Sequence, residues 1–170
     1  GKILKETPFT DIFIQPASSD AGSSLGSALY IHNCILDNKD RWNMDVYTGH
    51  LATHEEVKNY LENSDLKYVE LSEEEIIDRV CQMVAKDKIV GWYQGRMEFG
   101  PRALGNRTIL ANPGNPDMKD ILNSRVKFRE SFRPYAASVM EEKLGEYFDC
   151  DYRTPFMLLV YDVLEDKRSV

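Results

Sequence analysis

Six arginines fall within the 38 residues from Arg96 to Arg133, in the segments GRMEFGPRALGNRTIL and NSRVKFRESFRP. The arginine fork matches phosphate oxygens two at a time, so this density points to a site for phosphate-bearing ligands. Between Gly95 and Gly105 stand three glycines, Pro101 and two arginines, a composition that lets a turn bring backbone amides close to a ligand. Pro101 suits the first turn of a short helix, whose free amides would attract an anion beside Arg102. Arg107 lies next to the apolar run Ile109 to Ala111, and Arg133 sits between Phe132 and Pro134, so both are expected to be partly buried. A buried arginine needs an anionic partner. Glu98 and Glu130 could be that partner, could hold arginines in position, or could ligate a magnesium ion.

The charge is unevenly spread. Residues 91–133 hold eight basic and four acidic side chains, a local charge of +4, inside a chain of net charge −7. One basic island on an acidic body suggests a local anion site and argues against nucleic acid, whose binders carry a broad basic face. The composition, 42% hydrophobic and 29% charged over 170 residues, is that of a soluble globular protein. No apolar run approaches the roughly 18 residues needed to span a bilayer. Cys34, Cys81 and Cys150 are odd in number and lack metal-ligand spacing, which argues against a disulfide framework or zinc site and for a reducing cytoplasm. The opening GKILKETPF has no initiator Met and no leader pattern, and reads as part of a longer chain.

Elements that would position the island follow from periodicity. Asp11 to Pro16 alternates as a short strand, followed by a Gly/Ser loop and a helix over Leu25 to Leu36 in which His32 falls on the inward face. Residues 37–52 are polar and aperiodic, a connector between units. Thr53 with Glu56 and Ser72 with Glu75 match capping boxes, so helices are expected to about Asn63 and Lys86. The second carries Ile76, Ile77, Val80, Met83 and Val84 as a core stripe, with strand KYVEL before it. KIVGWYQ is a strand with Trp92 and Tyr93 in its core, leading into the island. Beyond it come strand RTILAN, a helix over Pro116 to Val126, strand FRPYAASVM, a short helix over Glu141 to Phe148 and strand PFMLLVYDV. Alternating helices and strands predict an α/β or α+β class.

The run GWYQGRMEFGPRALGNRTILANP, then NSRVKFRESFRPYAASV and EYFD, resembles the C-terminal part of the NodU and cephamycin O-carbamoyltransferase family, over about residues 50–170. The resemblance implies a YrdC-like mixed twisted sheet with flanking helices over 46–170, stopping short of its own C-terminal end. It implies binding of ATP, Mg²⁺ and carbamoyl phosphate, and formation of a carbamoyl adenylate that an adjoining Kae1-like domain uses to carbamoylate a hydroxyl of a small molecule. By motif it nominates Arg102, Arg107 and Lys127 for the chemical step, and Arg96, Asn106, Arg129 and Arg133 for gripping nucleotide and carbamoyl group. The sequence departs from the family pattern at Asn112, where Asp is expected, and at Ala137, where Pro is expected.

The strip IQPASSDAGSSLGSAL resembles the last nucleotide-binding motif of the Kae1-like, actin-related ATPases, which makes residues 1–45 the tail of the transfer domain and a linker. That resemblance sets Gly22 and Gly26 against nucleotide and gives Asp20 an active-site divalent metal, iron in character, shared with two upstream histidines. His32, His50 and His54 show no matching spacing and are read as structural or surface residues. Read on its own, DAGSSLG is a flexible loop capping a helix. Such a piece is expected to bind nucleotide but to complete little turnover without the upstream domain. Two rivals stand beside it. A YrdC-like module could hold nucleotide or an RNA end without chemistry, and a sugar kinase-like ATPase would use DAGSSLG but lacks the phosphate loops.

Overall fold

The stretch KIVGWYQ is β-branched and aromatic, and it pairs with RTIL as an antiparallel hairpin, β1 (Val90–Tyr93) and β2 (Arg107–Leu110). The register sets Val90 against Leu110 and Tyr93 against Arg107, and the Gln94 amide extends the ladder to the Asn106 carbonyl at 3.0 Å. The arginine signature is therefore the loop of a hairpin, closed at its base by the strand ladder. These relations come from a computed structural model that describes residues 2–41, 45–150 and 152–168.

Besides the hairpin the described residues form α1 (Lys2–Glu6), α2 (Asp20–Tyr30), α3 (His54–Glu62), α4 (Glu73–Ala85), α5 (Met118–Leu122) and α6 (Leu144–Tyr147). Both capping boxes are made: Thr53 and Ser72 accept from the Glu56 and Glu75 amides at 3.2 and 3.3 Å, and each carboxylate returns to the cap amide. These reciprocal bonds satisfy amides that have no partner inside the helix, which is why the two starts were legible. α2 begins five residues before the expected Leu25 and runs on as a π-helical turn, Ile31–Ile35, in which the Leu36 amide reaches the Ile31 carbonyl at 2.9 Å. α5 likewise continues as a π-helical turn, Asn123–Lys127. The chain is thus α+β, with one two-stranded antiparallel sheet among the described residues.

Four expected strands are not formed: DIFIQP, KYVEL, FRPYAASVM and most of PFMLLVYDV are irregular. A strand needs a partner for its backbone donors and acceptors, and apolar alternation alone supplies none. The last segment keeps one antiparallel bridge, Phe148 to Val163. Among the described residues the hairpin is the one sheet formed.

The core is small and sits in two places. Ala17 and Val46 are buried beside the hairpin loop, and Met118 and Leu122 are buried on α5. The expected core stripe of α4 is largely uncovered: Ile76, Ile77 and Met83 are exposed, and Val80 and Val84 are half-buried. Tyr93 and His32 are also exposed: alternation along β1 turns Tyr93 away from Trp92, and His32 lies on the π-helical turn after α2 with its ring nitrogen Nδ1 3.3 Å from Asn38 Nδ2. The expected connector is packed down rather than free. Its Val46 and His50 carbonyls accept from Phe99 and Met97 amides at 2.6 and 3.1 Å, and the Gly49 amide donates to the Met97 carbonyl at 2.9 Å. Residues 42–44 of that connector lie outside the described residues.

Asn112, where Asp is expected from the resemblance, is held by local bonds. Its side-chain amide donates to Asp87 Oδ1 at 2.9 Å while its Oδ1 accepts from the Gly114 amide at 3.0 Å. An aspartate there would oppose Asp87 with a second carboxylate. Asn112→Asp is expected to cost about 1 kcal/mol, a fall of roughly 2–4 °C in thermal melting, and Asp87→Asn in the same chain should restore it. Melting that is unchanged by N112D would remove this explanation.

Candidate functional site

The hairpin loop is organised from inside by Glu98, whose side chain is 0% exposed. Its Oε1 accepts the Leu104, Asn106 and Arg107 amides at 2.7, 2.8 and 3.2 Å, and its Oε2 accepts Arg107 Nε at 3.0 Å. Arg107 Nη2 also donates to the Glu98 carbonyl at 3.0 Å. Burial pushes this carboxyl up, yet the amides of Leu104 and Asn106 and the Arg107 guanidinium overcome it and hold the group down at about 2. Both oxygens are occupied by donors, so the magnesium reading of Glu98 is corrected: it is an internal anchor. Glu130 is exposed and makes no side-chain hydrogen bond or ion pair among the described residues.

Three glycines of the loop have positive φ, and two of them matter most. Gly100, at φ +111°, and Gly105, at φ +110°, lie where side chains are rarely tolerated. A Cβ at Gly100 would stand 2.9 Å from Ala17 Cβ, so the N-terminal strip packs directly against the loop. The loop forms bends rather than the short helix expected at Pro101, so no helix dipole acts at Arg102. The left-handed glycines prevent a helical turn there.

The nominated arginines divide by what already holds them. Arg107 spends its charge on Glu98, although its side chain is 41% exposed and Nη1 has no protein partner among the described residues. Arg96 Nη1 donates to the Gly49 carbonyl at 3.1 Å, and Asn106 Nδ2 donates to the Arg96 carbonyl at 2.7 Å, so Asn106 is a loop tie. Tyr47 adds a third tie, its hydroxyl donating to the Leu104 carbonyl at 2.9 Å. Burial and the nearby Glu98 and Asp45 carboxylates push its phenol above the ordinary range. Arg102 is exposed and makes no hydrogen bond or ion pair among the described residues. Arg96 likewise has no carboxylate partner among the described residues, its one bond being to a carbonyl.

The second basic segment forms a separate arm. Phe128 ends the π-helical turn in the left-handed region, at φ 48°, and turns the chain back past Asn123. Lys127 and Arg133 are exposed, so the partial burial expected for Arg133 is not found: its flanking Phe132 is itself exposed. Arg129 is half-buried, with Nε donating to Asn123 Oδ1 at 2.7 Å and its guanidinium 4.5 Å from the centre of the Tyr135 ring. No hydrogen bond or ion pair joins this arm to the hairpin loop among the described residues. Asn123 and Tyr135 had no role in the sequence reading. The signal for Asn123 was an amide directly following the apolar Met118 and Leu122 face and preceding the arginines.

In the N-terminal strip, Gly22 lies under the Ala17 carbonyl, where a Cβ would collide, while Gly26 faces open space. Gln15 is beside Gly22, and its amide is buried without a hydrogen-bond partner among the described residues. Asp20 is exposed at the start of α2, and no group of three His, Cys, Asp or Glu among the described residues could hold a metal.

The site thus consists of a hairpin loop carrying an exposed arginine and a second basic arm, on a small α+β scaffold. Residues 81–170 match the family model described as carbamoyltransferase C-terminus. The chain is 41% identical to the nodulation protein NolNO of Sinorhizobium fredii, over 100% of the chain and 26% of that protein. It is 35% identical to the 3'-hydroxymethylcephem-O-carbamoyltransferase of Streptomyces clavuligerus, over 93% of the chain and 29% of that protein. It is also 35% identical to nodulation protein U of Rhizobium tropici, over 91% of the chain and 25% of that protein. The chain belongs to the carbamoyltransferase family and corresponds to its C-terminal part. It spans between a quarter and a third of the length of these relatives.

Proposed function

We propose that this chain is the portion of an ATP-dependent O-carbamoyltransferase that grips ATP and carbamoyl phosphate and forms carbamoyl adenylate. On this reading residues 46–170 are the YrdC-like domain and residues 1–45 the tail of a Kae1-like domain, which passes the carbamoyl group to a hydroxyl of a small molecule. The observation that carries it is Arg102, exposed and without a hydrogen bond or ion pair among the described residues, on a loop otherwise tied to Glu98, within a family named for carbamoyl transfer. Attack at the α-phosphate builds charge on the phosphorane oxygens and on departing pyrophosphate, and a preorganised guanidinium stabilises charge that develops in the transition state. Arg102, Arg96 (held by the Gly49 carbonyl alone) and the open edge of Arg107 are the loop's donors; Lys127, Arg129 and Arg133 are those of the arm. A magnesium ion carried by the nucleotide would share the pyrophosphate charge, with Glu130 as the carboxylate available to it. At the Kae1-like strip Gly26 has room for a ligand, whereas Gly22 is closed by the Ala17 carbonyl, and Asp20 would contribute to its metal. Three free thiols and a nucleotide substrate favour the cytoplasm, and among the described residues no helix is long and apolar enough to cross a membrane.

Atom balance gives the test. Carbamoyl phosphate must lose its phosphate to water before its carbamoyl oxygen attacks ATP, so one phosphate and one pyrophosphate leave per adenylate formed. The intact polypeptide carrying this sequence, given ATP, Mg²⁺ and carbamoyl phosphate, is expected to release the two in equal amounts. ATP binding without pyrophosphate would leave the binding-module reading in its place. One observation favours that second reading: Phe128 and Phe132 are 81% and 79% exposed between Lys127, Arg129 and Arg133, and exposed aromatics among cations can stack bases. RNA binding that weakens steeply with salt would accompany it.

A further inference from the structure

Asn123 is 1% exposed, the most buried polar residue among those described, and it holds the arm from three sides. Its backbone carbonyl accepts the Arg129 amide at 3.0 Å, and its Oδ1 accepts Arg129 Nε at 2.7 Å. Its Nδ2 donates to the carbonyls of Ser131 and Arg133 at 3.4 and 3.0 Å. Only an amide offers an acceptor to the guanidinium and donors to the returning chain at the same place. Met118 and Leu122, buried on α5 before it, keep water from competing for these bonds.

What this does to Arg129 differs from what Glu98 does to Arg107. Arg107 is oriented by a carboxylate, and its charge is neutralised there. Arg129 is oriented by neutral groups: the Asn123 amide oxygen, the Pro134 carbonyl at 3.4 Å from Nη2, and the face of Tyr135. Among the described residues it has no carboxylate partner. A guanidinium fixed in direction but left with its full charge is arranged to meet an anion from outside. We infer that Asn123 is a positioning residue, which aims Arg129 at a phosphate group of the substrate without cancelling its charge. This rests on the proposed carbamoyl-adenylate reaction and adds a residue to it.

The experiment is a double-mutant cycle in the intact polypeptide, reading pyrophosphate release at varied ATP and carbamoyl phosphate. Asn123→Ala is expected to raise KM for at least one of the two substrates roughly tenfold or more, with a smaller change in kcat. Arg129→Gln, at the half-exposed surface of the arm, should raise the same KM. If Asn123 acts through Arg129, the double variant will be no worse than R129Q alone; a merely structural role predicts multiplied effects. Multiplied effects, or an N123A protein that melts lower but keeps both KM values within about twofold, would overturn the assignment. Should N123A fail to fold, R129Q decides: an unchanged KM removes the anion that Asn123 is said to aim at. The wild-type protein separates the two levels, because absence of pyrophosphate there sinks the reaction itself, whereas normal wild-type release with unaltered variants sinks only the positioning role.

Discussion

Replacing Glu98 by Gln is expected to lower stability by roughly 2–4 kcal/mol, visible as a drop of several degrees in thermal melting of the intact polypeptide. The substitution keeps the size of the side chain but leaves a single carbonyl oxygen where four donors converge, and it turns an amide NH₂ toward Arg107 Nε or toward the Leu104 and Asn106 amides. Either way a buried donor faces a donor, and an unsatisfied buried group costs more than a typical hydrogen bond contributes. Wild-type acid stability should change with it. The folded Glu98 titrates at about 2, below its ordinary 4.5, so its contribution is fully present above about pH 4.5 and is lost as pH falls toward 2. That shift corresponds to about 3 kcal/mol. The E98Q protein should lack this portion of the acid transition, which a series of melts between pH 2 and pH 6 would reveal. Equal melting temperatures for the two proteins at neutral pH would show that the loop holds its form without Glu98.

Arg102→Ala should do the reverse, leaving the fold intact and stopping the chemistry. Arg102 is exposed and makes no hydrogen bond or ion pair among the described residues, so melting should move by no more than surface substitutions usually cause, about 0.5 kcal/mol. If its guanidinium stabilises charge that appears only during transfer, pyrophosphate release should fall about 10²–10³-fold. Arg107→Ala is the informative contrast, because it strips Glu98 of its counter-charge and is expected to lower melting as E98Q does. The sequence placed these two arginines in one class; the hairpin loop separates them. R102A turnover within a few fold of wild type would move the reacting phosphates away from this loop.

Some of this was legible before any fold was known, and the reasons are local. The capping boxes at Thr53 and Ser72 were read correctly because their bonds span three residues of one chain. The strands on either side of the signature were read from β-branched and aromatic runs that happen to pair with each other. The four lost strands and the uncovered α4 stripe have the opposite cause. Their patterns specify an apolar face, but what lies against that face is decided by distant chain, and among the described residues little lies there. Pro101 was read as a helix start on its own preference, and the left-handed glycines around it overrode that preference.

The site divides in the same way. By itself the sequence determined that one basic island exists in an acidic chain, that its glycines permit an unusual turn, and that its motif is that of the carbamoyltransferases. These follow from residue type and order. Only the tertiary structure decided which cations remain free to act. Glu98 stands nine residues from Arg107, and Asn123 six from Arg129, yet one partner is a carboxylate that cancels charge and the other an amide that leaves it. Charge available to a ligand is a property of the pair in space, because a guanidinium keeps its field only where no fixed anion answers it.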